Sequence, residues 1–427
     1  MELRSKVILG LVGTGVLLCG VGLYVIGRRY VDFPLGDGEL SSATKAYRAA
    51  GLPWTARELT PPRKGKNAEP LLSKARNALD FPAWKAISKA MQTSPTREKL
   101  APFAKAADLA VLASNADYWQ SKWDWDYGSN LEFPEYEKTR GLIQILSARA
   151  AVEAQAGEGR DAVRELQAGL KLAHMTGKEG PVIGILVEIS ERLAIYRGFE
   201  QAAAWTDAKG RRTLAAFRDE AVPAPDAKSA LRHEAYVGLA TMRNMDKFPQ
   251  SDDDSTSVKI DPKLLLREGA PENPIQRSYM VRHLQLWTRV ARSMEKDPGD
   301  LLALEKDLIR IGNDEDKETG VSHLLNKMSF PLFDHLMPSV VRCEADRRVA
   351  RLYLQALIYH DQHGDFPASL KNLSGDRNDP FGGELRYRQD GGGFRIWSVG
   401  PNGENEAGAT RKENKRADDV VAVYPPS

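Results

Sequence analysis

Hydrophobic residues recur every three or four positions along most of the chain, which is the period of an amphipathic α-helix. The pattern is continuous over residues 138–245, where three apolar stripes follow one another: Leu142–Val152, Val163–Ala173 and Val182–Tyr196. Gly157-Glu158-Gly159 separates the first two stripes. Two stripes joined by a glycine-rich turn predict an antiparallel helical hairpin, and the third stripe predicts a further helix.

The segment Ala148–Ala173 resembles half-repeats of the tetratricopeptide family. It has small residues where the two helices would cross, glycine at the turn and Ala162 early in the second helix. No regular repeat of about 34 residues extends along the chain. Both a repeat-like stack of hairpins and a plain helical bundle therefore remain open.

Apolar positions at helical spacing also follow Leu231, Met280 and Pro338, and they predict three more helices. Between the first two of these helices, residues 247–274 contain clustered aspartates and prolines. Such a composition is typical of a connecting segment, so we predict a long exposed loop there.

The apolar period shortens to two residues near the carboxy terminus, which indicates β-strands. Leu385–Gln389 and Phe394–Val399 alternate in polarity, and Asp390-Gly391-Gly392-Gly393 joins them as a hairpin turn. Asp418–Tyr424 supplies a third short strand. The predicted fold is therefore mainly α, with helical hairpins or a bundle, and ends in a small antiparallel three-stranded β-sheet.

Val7–Gly27 is an apolar run without a charged residue, and basic residues flank it on both sides. A helix of about 20 residues is long enough to cross a bilayer, so we predict an amino-terminal transmembrane helix and the membrane as a partner. A lipoprotein signal and a cleaved signal peptide are the alternatives. Leu17-Leu18-Cys19-Gly20 is similar to a lipidation box, but Leu18 replaces the small residue expected before the cysteine.

The basic residues on the two sides of the run balance, so charge alone does not set the orientation. A short amino-terminal tail usually stays in the cytoplasm when a large domain follows, which favours residues 30–427 outside the cytoplasmic membrane. The predicted organisation is a transmembrane anchor at 1–29, a juxtamembrane helical region at 30–137, a helical hairpin or bundle domain at 138–337, and a long helix with the sheet at 338–427.

Composition narrows the function classes. The chain has 427 residues, which is long enough for a sizeable hydrophobic core. Its formal net charge of +2 is too close to zero for a dedicated nucleic-acid binder. Of its two cysteines, Cys19 lies in the apolar run, so a disulfide to Cys343 is not expected. Cys343 is expected to pack as a small buried hydrophobe.

Three motifs near the carboxy terminus follow one another in a fixed order: Gly364–Leu370, Asp379–Gly382 and Ser398–Gly403. Together with the preceding long helix and the short sheet, they resemble the carboxy-terminal half of the major pseudopilin of bacterial type II secretion. The segment Ala49–Leu72 is also similar to single-pass membrane-anchored bacterial proteins with the same ending. These resemblances imply a cell-envelope location and family membership, but no mechanism.

In the pseudopilin family, the loop after the sheet binds calcium. The resemblance therefore implies Asn402, Asp418 and Asp419 as candidate calcium ligands, all of them with the hard oxygen atoms that calcium prefers. A hydrogen-bonded turn and strand start are the alternative, because cations that would repel a metal occupy the same loop: Arg411, Lys412, Lys415 and Arg416.

The sequence identifies no catalytic or cofactor-binding residue. His360-x-x-His363 lacks a marked third zinc ligand, and the chain contains no Walker loop, nucleophile elbow or dinucleotide fingerprint. We therefore expect a protein of the bacterial inner membrane that binds a protein partner or acts as a scaffold. An accessory component of a secretion or pilus-like system is the first alternative, and an enzyme whose cleft is assembled from distant residues is the second. The oligomeric state stays open.

Overall fold

In a computed structural model of the protein, the described residues are 37–244, 274–296, 300–315 and 336–425. The predicted transmembrane helix Val7–Gly27 and most of the predicted loop 247–274 lie outside this part of the chain. Among the described helices, none is long and apolar enough to cross a membrane.

The described chain is mainly helical and ends in a three-stranded antiparallel sheet, which confirms the predicted fold class at this level. The first helices are α1 Asp37–Ala49, α2 Ala56–Leu59, α3 Glu69–Ala78, α4 Phe81–Met91, α5 Arg97–Leu100, α6 Ala104–Ala113 and α7 Pro134–Gln155. The remaining helices are α8 Gly159–Lys178, α9 Val182–Trp205, α10 Ala208–Leu214, α11 Ala227–Asn244, α12 Pro274–Lys296, α13 Leu301–Glu315 and α14 Leu336–His363. The strands are β1 Arg386–Asp390, β2 Gly393–Ser398 and β3 Val420–Tyr424.

The chain divides into two compact units, each built from separate stretches of sequence. Within the described residues, unit 1 contains 37–58, 124–131, 235–244, 274–296 and 300–315, and unit 2 contains 59–123, 132–234 and 336–425.

Unit 1 is built around α1 and α12, which pack against each other. The apolar stripe predicted from Met280 to Met294 is buried on α12, and Trp287 within it is only 1% exposed. Polar contacts hold the residues that end α11: Asn244 Nδ2 donates to the Asp126 carbonyl oxygen at 3.0 Å, and the Arg243 guanidinium lies 4.2 Å from the Trp54 ring centroid.

Unit 2 has the predicted hairpin of α7 and α8, and α9 packs against both of its helices. Gly157 has φ +83°, a left-handed conformation that glycine adopts without a steric penalty, and it reverses the chain between α7 and α8. Leu142, Ile145 and Leu146 on the first predicted stripe are fully buried. Helix α9 is buried on several sides, because it contacts α14 as well as α7 and α8.

The sheet of unit 2 has the order β1-β2-β3, and β2 and β3 pack on α14. Gly391 and Gly392 both have positive φ, at 55° and 88°, which is the requirement of the two-residue turn that best matches strand twist. Phe394 and Ile396 are fully buried, and the Tyr353 ring of α14 lies 5.4 Å from that of Phe394. The alternation seen in the sequence therefore marks the face of the sheet that packs on the helix.

Helices α7 and α9 approach closely at Ser147 and Gly198. The Ser147 hydroxyl donates to the Ala194 carbonyl oxygen at 2.6 Å. A Cβ atom at Gly198 would lie 2.2 Å from Ser147 Oγ and 2.8 Å from the Ser147 carbonyl oxygen. Backbone atoms cannot rotate away as the end of a side chain can, so this crossing requires glycine at position 198.

We expect Gly198→Ala to destabilise the protein by about 1–3 kcal/mol, because the added methyl group forces α7 and α9 apart. Urea unfolding monitored by circular dichroism measures the effect. Gly38→Ala is the control, since Gly38 is an exposed helical residue with no atom within 4 Å of an added Cβ. Equal stability of Gly198→Ala and the wild type would show that the crossing tolerates a side chain.

Candidate functional site

Three helices of unit 2 enclose a cavity of about 100 Å³, which we call the α4–α7–α9 groove. Helix α9 lies against α7 at the Ser147–Gly198 contact, and the groove opens beside it. Most of the side chains that line the groove are polar or cationic: Ser88, Gln92, Arg140, Gln144, Ser190, Arg197 and Gln201.

Hydrogen bonds fix the amide side chains in the groove. Trp84 Nε1 donates to Gln144 Oε1 at 3.4 Å, and Gln201 Nε2 donates to the Gln92 carbonyl oxygen. With its oxygen engaged by Trp84, the Gln144 side chain still has two amide N–H donors for another group.

The two arginines of the groove are exposed, and neither makes a hydrogen bond or an ion pair with a described residue. Arg140 belongs to α7 and Arg197 belongs to α9. A guanidinium presents five N–H donors in a planar fork that matches carboxylate or phosphate oxygens. These two side chains are therefore the groups in the groove best suited to hold a ligand.

Acidic side chains lie close to both arginines, yet burial keeps some of them protonated. Burial, followed by the charge of Glu188, raises the pKa of Glu191 far above its ordinary value, although Arg140 opposes the shift. Burial, followed by the charge of Asp346, raises the pKa of Glu200 to about 8, and Arg197 opposes that shift. At neutral pH, Glu191 and Glu200 are therefore largely uncharged and do not neutralise the arginines.

A separate polar cluster, formed by His174, Glu188 and Arg192, is structural. Arg192 Nε donates to Glu188 Oε1 at 2.9 Å, and the same oxygen lies 3.2 Å from His174 Nδ1. The Arg192 guanidinium also donates to the Pro223 carbonyl oxygen. Glu188 and Arg192 are almost completely buried, so this ion pair links α9 to the loop before α11 and is not open to a ligand.

Cys343 is buried on α14, as expected for a small hydrophobe, and burial raises the pKa of its thiol far above the ordinary value. The thiol is therefore not an activated nucleophile. His360 and His363 stack on separate rings, 4.4 Å from Phe366 and 4.0 Å from Tyr359 respectively. They do not form a shared site.

The three predicted calcium ligands do not all meet. Asn402 Nδ2 donates to Glu406 Oε1 at 2.7 Å, and the Glu406 carboxyl is hydrogen-bonded to that of Asp419. Asp418 lies elsewhere, where its Oδ1 accepts from Arg342 Nη1 of α14 at 2.8 Å. The structure thus brings two of the predicted residues together through Glu406, which the resemblance did not mark.

The carboxyls of Glu406 and Asp419 in this loop interact with each other, and Glu406 Oε2 and Asp419 Oδ1 are buried with no further hydrogen-bond partner among the described residues. Burial and the hydrogen bond with Glu406 raise the pKa of Asp419 to about 6. Asp419 Oδ2 also accepts from the Gly408 amide at 2.8 Å. In the part of the chain that the structure describes, no group of three or more His, Cys, Asp or Glu side chains is arranged to hold a metal ion. The residues present therefore fit the implied calcium site only in part.

The groove residues were not identified from the sequence, although they form a regular pattern. Arg140, Gln144 and Ser147 follow the helical period on α7, and Ser190, Arg197 and Gln201 follow it on α9. A polar stripe of this kind is typical of a solvated helix face, so the pattern alone gave no reason to select it. Comparisons of the chain with protein-family models, curated proteins and solved structures find no match.

We expect Glu200→Gln to make the protein progressively more stable than the wild type as the pH rises from about 4.5 to 8. The folded state binds the Glu200 proton more tightly than the unfolded state, so this carboxyl stabilises the fold at low pH and its contribution is lost as pH rises through about 8. Glutamine remains neutral and has no such loss. Urea unfolding at pH 5 and 8.5 measures the change, for which we expect at least about 1 kcal/mol.

Glu132→Gln, at an exposed position of the same unit, controls for the removal of one negative charge. A Glu200→Gln effect that is the same at both pH values would contradict a buried protonated carboxyl.

Proposed function

We propose that the protein is a membrane-anchored binding protein of the bacterial cell envelope, and that its ligand occupies the α4–α7–α9 groove. The observation that carries this proposal is the pair Arg140 and Arg197, which line one groove without a hydrogen-bonding or ion-pairing partner among the described residues. Many arginines of the described chain have such partners, as Arg192 has in Glu188. Charged side chains that line one groove without such a partner are typical of a binding site.

The location is supported by the sequence. The apolar run Val7–Gly27 suits a single transmembrane helix. Its short preceding tail and the resemblance of the last part of the chain to pseudopilins favour residues 30–427 on the outer side of the cytoplasmic membrane.

The helical architecture also suits a binding protein. Helix α9 packs on both helices of the α7–α8 hairpin, in the way that the first helix of a tetratricopeptide repeat packs on the preceding repeat. Stacked hairpins of this kind present extended surfaces that suit protein partners. A protein is therefore among the ligands that the groove could bind.

An accessory role in a secretion or pilus-like system is the second candidate. The feature that favours it is the turn at Asp379, whose carboxylate accepts from Ser398 Oγ at 2.7 Å and from the Val399 amide at 3.0 Å. These bonds connect two of the three motifs that the chain has in common with pseudopilins. The turn and the long helix α14 support a pseudopilin-like module, which would act here as a structural cap.

Catalysis has less support. A hydrolytic or transfer site needs a base beside its nucleophile. The groove contains the hydroxyls of Ser88 and Ser190, but its lining side chains in the described chain include no histidine and no carboxylate.

The binding proposal predicts that protein extracted from its native membranes with a mild detergent carries a ligand. Native mass spectrometry should show a species heavier than the 47.3 kDa chain, and the double variant Arg140→Gln/Arg197→Gln should lose it. The double variant should keep its unfolding free energy within about 0.5 kcal/mol, because these arginines make no structural bond.

Two single variants provide the comparison. Arg212→Gln removes an exposed arginine of α10 outside the groove and should retain the heavier species. Arg192→Gln breaks the buried pair with Glu188 and should destabilise the fold by about 3–5 kcal/mol. A heavier species that persists in the double variant, or that is missing from the wild type, would contradict the binding role of the groove.

The location predicts that protease added to spheroplasts digests residues 30–427 before the inner membrane is opened. Immunoblotting for the carboxy terminus measures this, with a cytoplasmic protein as the control for leakage. Protection until lysis would put the domain in the cytoplasm and contradict an envelope role.

A further inference from the structure

The two groove arginines lie at different levels along the groove. Helices α7 and α9 run in the same direction, because Tyr136 near the start of α7 lies beside Gly184 near the start of α9, and Ser147 further along lies beside Gly198. Arg140 precedes Ser147 by seven residues, whereas Arg197 directly precedes Gly198. The difference is six residues, so at a rise of about 1.5 Å per residue their Cα atoms are offset by roughly 9 Å along the helix axes.

This offset leaves room for a separate acidic group at each arginine. An arginine side chain reaches about 6 Å from its Cα, so the two guanidinium groups can hold the ends of one short ligand inside the groove. Between these ends lie the amide N–H groups of Gln144, and the hydroxyl of Ser190 lies at about the level of Arg140. Both are donors to oxygen.

The charge balance of the groove also favours an anionic ligand. The side chains that line it are cationic or neutral in the described chain. Of the acids behind it, Glu191 and Glu200 are held in the neutral form by burial. Asp346, whose pKa burial raises only to about 6, remains ionised at neutral pH and partly balances Arg197 together with Arg342.

We infer that the groove binds a small ligand with two acidic groups, carboxylate or phosphate, and that Arg140 holds one group and Arg197 the other. This inference rests on the proposed binding function and names the chemical class of the ligand. Bidentate pairing of each guanidinium with an oxyanion provides the affinity, and the spacing of the two arginines selects the length of the ligand. Gln144 is assigned to the oxygens between the two ends, and Ser190 to the acidic group that Arg140 holds.

Isothermal titration calorimetry of the full chain in detergent tests the inference. The compounds to titrate are acetate, malonate, succinate, glutarate, phosphate and pyrophosphate, each at the same ionic strength in a chloride background. We expect at least one compound with two acidic groups at a matched spacing to bind at least about tenfold more tightly than acetate or phosphate, which have one acidic group. Whether the dicarboxylates or pyrophosphate bind more tightly decides between carboxylate and phosphate.

Single variants separate the two ends. Arg140→Gln and Arg197→Gln should each lower the affinity for the best dianion to that of the corresponding single anion, and Arg140→Lys should recover only part of it because lysine cannot bind bidentately. Arg212→Gln should bind like the wild type. Ser190→Ala is expected to weaken binding less than either arginine variant.

Three results would overturn the inference: no saturable binding of any compound up to about 10 mM, equal binding of compounds with one and with two acidic groups, or unchanged binding by Arg140→Gln/Arg197→Gln. If native mass spectrometry still shows an arginine-dependent ligand in those cases, the groove is a binding site for another class of ligand. If that ligand is missing as well, the proposed function fails together with this inference.

Discussion

The contact between Ser147 and Gly198 fixes the distance between α7 and α9, and the arrangement of unit 2 around the groove depends on it. At that point one helix has a glycine and the other a small hydroxyl side chain, so the backbones meet. On one side of the contact, the longer side chains of Arg140 and Gln144 line the groove. The polar groove lies beside this close crossing, and α4 lines its third side.

Helix α9 has a second constraint, because it is surrounded by other helices and yet contains many ionisable residues. Proteins tolerate buried charges only when these are paired or neutralised. On α9 both solutions occur: Glu188 pairs with Arg192, while Glu191 and Glu200 retain their protons. As a result, the exposed Arg197 on the groove side of the same helix is only partly balanced by neighbouring negative charge.

The carboxy-terminal loop shows why a list of ligand residues does not by itself define a metal site. Asp418 and Asp419 are neighbours at the start of β3, and successive side chains of an extended segment point to opposite sides. The Asp419 side chain contacts Glu406, which also accepts from Asn402, whereas the Asp418 side chain accepts from Arg342 on α14. The adjacent positions of Asp418 and Asp419 in the sequence already indicate that their side chains point apart. That Glu406 is the partner of Asp419 is visible only in the folded loop.

The sequence by itself determined helices α7, α8, α9, α11, α12 and α14, the glycine turns and the hairpin of the sheet, because each depends on local periodicity or on the backbone freedom of glycine, as at Gly157 and at Gly391-Gly392. It did not determine the groove. Arg140 and Arg197 are far apart in the sequence, and each lies on a polar stripe that looks like an ordinary solvated helix face. Only the tertiary packing of α4, α7 and α9 turns these stripes toward one another and buries the acids that would otherwise neutralise them.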